Sequence, residues 1–195
     1  MIISHKHKFI SLDPPKTGTN YRQNLLWNYG DFVKDLQHAN LEEVRNYFHQ
    51  YDLSDYFTFT FVRNPWKRYL SWFHHFSKVN HNHDLSPQKF YNFMFRYLSK
   101  KPQTKISRIT LPQSYWFENQ DEINVNFIGC LENLKEDMEF VLRKIEINPP
   151  MRNEAANKSK YKLNFHDAYN QELIDLVAKK EKRVIELNRY DFAST

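Results

Sequence analysis

The sequence predicts an α/β layer fold built round a mostly parallel central sheet. Three observations lead there. The apolar run HKFISL (residues 7–12) and the β-favouring run YFTFTFV (residues 56–62) each pass directly into a helical pattern. A third run, VNFIG at 125–129, does the same. Strands that alternate with helices in this way read as βαβ units with helices on the sheet. The 195 residues contain no linker-like composition shift, repeat or low-complexity stretch, so one domain over residues 1–195 is expected.

Each element has a local reason. After the first strand, residues 19–29 place Leu25, Leu26 and Tyr29 at helical spacing, and residues 41–49 do the same with Leu41, Val44 and Phe48. In the central strand Phe57, Phe59 and Phe61 alternate with Thr58, Thr60 and Val62, all β-favouring types. Asn64-Pro65 then starts a helix, since Asn is a good N-cap and Pro is favoured in the first turn. Trp66, Tyr69, Leu70 and Phe73 form its buried stripe. Residues 80–87 read as a polar loop. Residues 88–98 read as a helix with Phe90, Phe93, Met94 and Tyr97 inward, and 99–108 as a basic loop. The helix after VNFIG carries Leu134, Met138, Val141, Leu142 and Ile145 on one side until Asn148-Pro149-Pro150 stops it. A basic loop, MRNEAANKSKYK, precedes one last long helix over 167–187.

Composition narrows the function classes. A net charge of +5 from 28 basic and 23 acidic residues suits anionic ligands, but the basic residues are scattered, so nucleic acid is not an expected partner. Cys130 is the sole cysteine, which excludes an internal disulfide framework. Lys6, His7 and Lys8 interrupt the N-terminal apolar run, and no window approaches the roughly 20 apolar residues of a membrane span. HNHD, with His81, His83 and Asp84, lacks further ligands at metal-site spacing, so no metal is expected. Cys130 lies in no catalytic constellation, and His74-His75 reads equally as a solvated helix edge.

Two strand-to-helix turns carry the chemistry. In parallel α/β sheets ligands bind beyond the carboxyl ends of strands, and helix N-termini attract anions. Leu12 leads into PPKTGTN, and Val62 leads into RNPW. The first turn holds one of only three glycines, Gly18, which lets backbone close on a phosphate-sized group. Lys16 adds a charge, and Thr17 and Thr19 add hydroxyls. It is not a Walker A loop, because Lys16 precedes the glycine. On the second helix Lys67, Ser71, His74 and Lys78 form a polar stripe, on which Arg63 and Ser71 meet an anion only if Arg63 reaches back along two turns.

PKTGT and FVRNPWKRYLSWF resemble the two cofactor motifs of sulfotransferases that use 3′-phosphoadenosine-5′-phosphosulfate (PAPS), most closely the carbohydrate-sulfotransferase branch. FIGCLENLKEDMEFVL and the stretch from Asn157 to Phe192 resemble that branch's later segments, so the likeness runs over residues 8–192. The resemblance implies a three-layer, P-loop-like sulfotransferase fold, PAPS as sulfate donor and 3′-phosphoadenosine-5′-phosphate (PAP) as product. By it Lys16, Thr17, Gly18 and Thr19 hold the 5′-phosphosulfate, with Lys16 at the bridging oxygen. Arg63 and Ser71 hold the 3′-phosphate. Lys158, in the basic loop with Asn157 and Ser159, adds a phosphate contact, and Tyr21 stacks on adenine. Asn20 stands where relatives usually carry Thr or Ser, and its amide can still donate a hydrogen bond.

The resemblance also implies in-line sulfuryl transfer to an acceptor hydroxyl, expected to be a glycan's, without a metal. His38 best matches the branch's general base, with Asp35, Glu42 and His49 as rivals and a capping role as the plain alternative. A catalytically degenerate nucleotide-binding module and a P-loop-like kinase remain the competing functions. The apparent lack of an anchor suggests a cytoplasmic bacterial or viral enzyme. The acceptor's identity and the oligomeric state are not written in the sequence.

Overall fold

The computed structural model describes residues 1–81, 84–99, 108–150 and 163–193. They form two compact units, each assembled from two chain segments: Met1–Val62 with Gln113–Ala156, and Arg63–Pro112 with Asn157–Thr195. The basic loops expected over 99–108 and 151–162 lie almost wholly outside the described residues, as do Asn157, Lys158 and Ser159.

The first unit is a five-stranded sheet flanked by helices. Its strands are β1 (Ile2–Ser4), β2 (Phe9–Ser11), β3 (Asp31–Phe32) and β4 (Phe57–Val62), with a last one, β7 (Phe127–Cys130), after a small separate hairpin. The order is β3-β1-β2-β4-β7. β2, β4 and β7 pair in parallel, whereas β1 pairs antiparallel with both β2 and β3. The sheet is therefore mixed: β1 runs against the other four strands, which share one direction, so the mostly parallel sheet expected is interrupted at β1. The cause is an N-terminal hairpin: Ile2–Ser4 is a strand, turned back on β2 through Lys8 at φ 49°. The small hairpin, β5 (Glu118–Asn119) with β6 (Glu122–Ile123), was also not anticipated. Its two-residue loop, Gln120-Asp121, has positive φ at both positions, the geometry that matches strand twist.

Side-chain alternation sends the two faces of these strands into different clusters. Ile2, Phe9, Phe59 and Phe61 pack with Leu25 and Leu26 of α1 (Thr19–Leu26) and with Met138, Val141 and Leu142 of the helix after β7. Met1, Ile3, Ile10 and Leu12 pack with Leu41 and Val44 of α2 (Leu41–Tyr47).

The second unit is helical. α3 (Pro65–Val79) starts as expected on its Asn64 cap, whereas α4 (Pro87–Met94), capped by Ser86, starts one residue before the helix expected over 88–98 and passes into a π-helical turn at Phe95–Ser99. The helix after β7 is α5 (Leu134–Lys144) in the first unit. The long helix expected over 167–187 is instead three: α6 (Phe165–Ala168), α7 (Gln171–Lys180) and α8 (Lys182–Asn188). Tyr169 is extended at φ −108°, ψ 129°, and Asn170 then caps α7 by accepting from Leu173 N–H at 3.0 Å. The second break turns Glu181 inward, where its carboxylate accepts from Arg68 and from the Tyr69 hydroxyl, both at 2.8 Å. Arg68 is completely buried and also donates to the carbonyl of Ile109. No helix among the described residues is long and apolar enough to cross a membrane.

Candidate functional site

The turn from β2 to α1 is held by its own backbone conformation and by hydrogen bonds within it. Lys16 sits at φ 69° and Gly18 at φ 81°, two left-handed residues in three positions. Such alternation curls the backbone so that successive N–H groups turn to one side, the geometry of an anion-binding nest. Gly18 is the N-cap of α1 and no side chain caps that helix end. A Cβ on Gly18 would lie 2.6 Å from Leu131 Cδ1, so closeness as well as φ selects glycine there. Both threonine hydroxyls turn inward: Thr17 and Thr19 donate to the carbonyl of Pro14 at 2.8 and 3.2 Å. Thr17 is fully buried, Lys16 is half-buried and Asn20 is exposed. Beside these inward hydroxyls the turn carries the half-buried Lys16 and the exposed Asn20. Tyr21 lies half-buried on α1, and burial, helped by the charge of Glu139, raises its pKa.

Beneath the turn is a buried polar hub that the sequence reading did not find. Asp13 is fully buried. Its carboxylate accepts from Arg22 Nη2 at 3.1 Å and from Gln23 Nε2 at 2.8 Å, and lies 3.4 Å from the Met1 amino nitrogen. Arg22, also fully buried, bonds through Nη1 to the carbonyl of Thr17, so α1 grips the turn it follows. Its guanidinium lies over the Phe61 ring at 4.8 Å.

His38 is joined to the same hub. Its Nδ1 meets the backbone carbonyl of Asp13. A carbonyl only accepts, so Nδ1 carries a proton, and in the neutral ring the lone pair is on Nε2. His38 is half-buried at φ 62°, and its own carbonyl accepts from Trp116 Nε1–H at 3.0 Å. It is not the α2 cap: Asn40 is, in a reciprocal capping box with Glu43. The rivals Asp35, Glu42 and His49 are exposed, and His49 Nδ1 lies 3.2 Å from the Asn46 carbonyl.

Arg63 and Ser71 belong to the helical unit. Arg63 is half-buried immediately before the Asn64 cap, which accepts from Lys67 N–H at 3.1 Å. Ser71 is half-buried two turns along α3, on the face it shares with Lys67, His74 and Lys78, none of which is buried. The Arg63 charge is felt by the buried Tyr169 hydroxyl, whose pKa burial nonetheless holds well above the ordinary value. His74 Nε2 accepts from Leu163 N–H at 3.2 Å. No group of three or more potential metal ligands occurs among the described residues; His83 is not among them.

A sulfotransferase family model matches residues 1–193, across both units. The chain belongs to the sulfotransferase family. An uncharacterized protein of Archaeoglobus fulgidus is 30% identical over 90 residues, which are 46% of this chain and 68% of that protein. No solved structure matches.

Proposed function

We propose that this sulfotransferase takes its sulfuryl group from PAPS and transfers it in line to an acceptor hydroxyl, that of a glycan, as in the carbohydrate-sulfotransferase branch with its three-layer, P-loop-like fold. The observation that carries the reading is the PKTGT turn: two left-handed residues, an uncapped helix start and a lysine, next to a histidine whose tautomer leaves the lone pair on Nε2. That donor set suits an anion. It supplies backbone N–H groups, the α1 dipole and its own cation, with both threonine hydroxyls spent on shaping the turn.

When bound, PAPS supplies an activated sulfuryl group whose departure leaves negative charge on a phosphate oxygen. Lys16 and the turn amides meet that charge, and a preorganised donor of this kind is worth about 3 kcal/mol of barrier. His38 Nε2 takes the acceptor's proton, a contribution of about 10²–10⁴-fold. Arg63 and Ser71, with Lys158 from outside the described residues, bind the 3′-phosphate. Tyr21 stacks on adenine, and Asn20 donates from the first turn of α1.

Thermal shift with adenosine 3′,5′-bisphosphate against ATP–Mg²⁺ tests the reading. Stabilisation by the bisphosphate is expected. Stabilisation by ATP–Mg²⁺ alone would replace the reading with a kinase. Bisphosphate binding without sulfate transfer to any glycan would leave a nucleotide-binding module.

A further inference from the structure

We propose that Asp13 is a positioning residue that ties the anion-binding turn and the base into one frame. The inference rests on the proposed function for what the frame serves, and on geometry alone for its existence. Asp13 uses its two ends differently. Its carboxylate accepts from Arg22 and Gln23, and Arg22 carries the grip on to the Thr17 carbonyl between Lys16 and Gly18. Its backbone carbonyl accepts from His38 Nδ1–H and so selects the tautomer that puts the lone pair on Nε2.

The arrangement is expensive for a purely structural device. Arg22 and Asp13 are both fully buried, and Arg22 Nε has no hydrogen-bond partner among the described residues. A buried ion pair gives little net stability over an apolar pair, and an unmatched buried donor subtracts from it. What the pair does supply is fixed geometry. The forked guanidinium reaches two acceptors at once, the Asp13 carboxylate and the Thr17 carbonyl, which a point charge on a flexible stem cannot do with the same definition. Fixing the Thr17 carbonyl inward fixes the Thr17–Gly18 peptide plane, and with it the direction of the Gly18 N–H. Fixing Asp13 places the atom that orients His38. A shift of the turn would therefore also shift the base.

Two variants test the joint. In Asp13→Asn/Arg22→Met the two buried side-chain charges go together, so neither is left facing the site of the other, and the new amide oxygen still accepts from Gln23 and the Met1 amino group. Nitrogen-15 NMR of the ligand-free protein reads the His38 tautomer. The Nδ1–H form is expected in the wild type, and in the variant a mixture shifted toward the Nε2–H form that an unconstrained histidine side chain favours in water. A folded variant that keeps the wild-type tautomer overturns the proposal. Arg22→Lys keeps a cation for Asp13 but loses the fork. Its affinity for adenosine 3′,5′-bisphosphate is expected to fall about tenfold or more at a nearly unchanged melting temperature. Unchanged affinity also overturns the proposal. If the wild type itself ignores the bisphosphate, the proposed function fails, and the tautomer measurement still decides whether the joint exists.

Discussion

Replacing Gly18 by alanine tests the geometry of the turn with a change of one methyl group. Two costs can be read from the structure. At φ 81° an L-residue with a Cβ pays about 1–2 kcal/mol relative to glycine. The new Cβ would also lie 2.6 Å from Leu131 Cδ1, closer than carbon atoms approach. Leu131 is half-buried, so its side-chain end can yield, and the overpacking part falls at the lower end of the usual 1–3 kcal/mol. The sum is about 2–4 kcal/mol. For a chain of this length that is roughly 5–15 °C of melting temperature, at about 2–4 °C per kcal/mol. Calorimetric melting of Gly18→Ala, Leu131→Ala and the double variant separates the two parts. The double variant should recover the overpacking part and retain the backbone part, about 1–2 kcal/mol. A Gly18→Ala protein that melts within a degree of wild type would refute both the left-handed conformation and the close approach.

Other outcomes follow from the same geometry. His38→Ala should abolish sulfate transfer while nucleotide affinity, read by calorimetry, stays within about twofold, because a base lowers the barrier without holding the donor; normal turnover would remove the assignment. Arg68→Met should cost about 3–5 kcal/mol in urea unfolding, since the buried Glu181 carboxylate loses the guanidinium that faces it, whereas Arg68→Met/Glu181→Gln should recover most of it. Burial holds the pKa of Tyr69 and of Tyr169 well above the ordinary 10.0. A pKa raised by folding contributes stability that is whole below 10.0 and is lost as pH rises through the folded value. A melting temperature flat to about pH 10 and falling above it is therefore expected, with a shallower fall in Tyr69→Phe.

How much of this was legible in the sequence depended on how local the cause was. The PKTGT turn could be read because its chemistry is contiguous: a glycine, a lysine and two hydroxyls in four residues after a strand. The start of α3 could be read because Asn64-Pro65 carries its own cap. The hub could not. Asp13 looks like an ordinary residue before two prolines, and nothing in the local pattern says that Arg22, nine positions on, turns inward to meet it. The inward threonine hydroxyls were hidden for the same reason, since their acceptor is a backbone carbonyl that only the folded turn presents. Strands of two or three residues, such as β1 and β3, have too little alternation to register. The last helix kept its apolar period across both breaks, so periodicity joined what the Asn170 cap and the inward Glu181 divide. His38 was singled out by resemblance, and the tautomer that suits it to the role came from Asp13, twenty-five residues away.

Sulfuryl transfer is read by incubating the protein with PAPS carrying radiolabelled sulfate and a panel of glycans, beside its Lys16→Met variant. Label is expected on a glycan with the wild type and none with the variant, which lacks the charge at the departing oxygen. Equal transfer by the two proteins would contradict the proposed function. So would no transfer by the wild type to any hydroxyl offered.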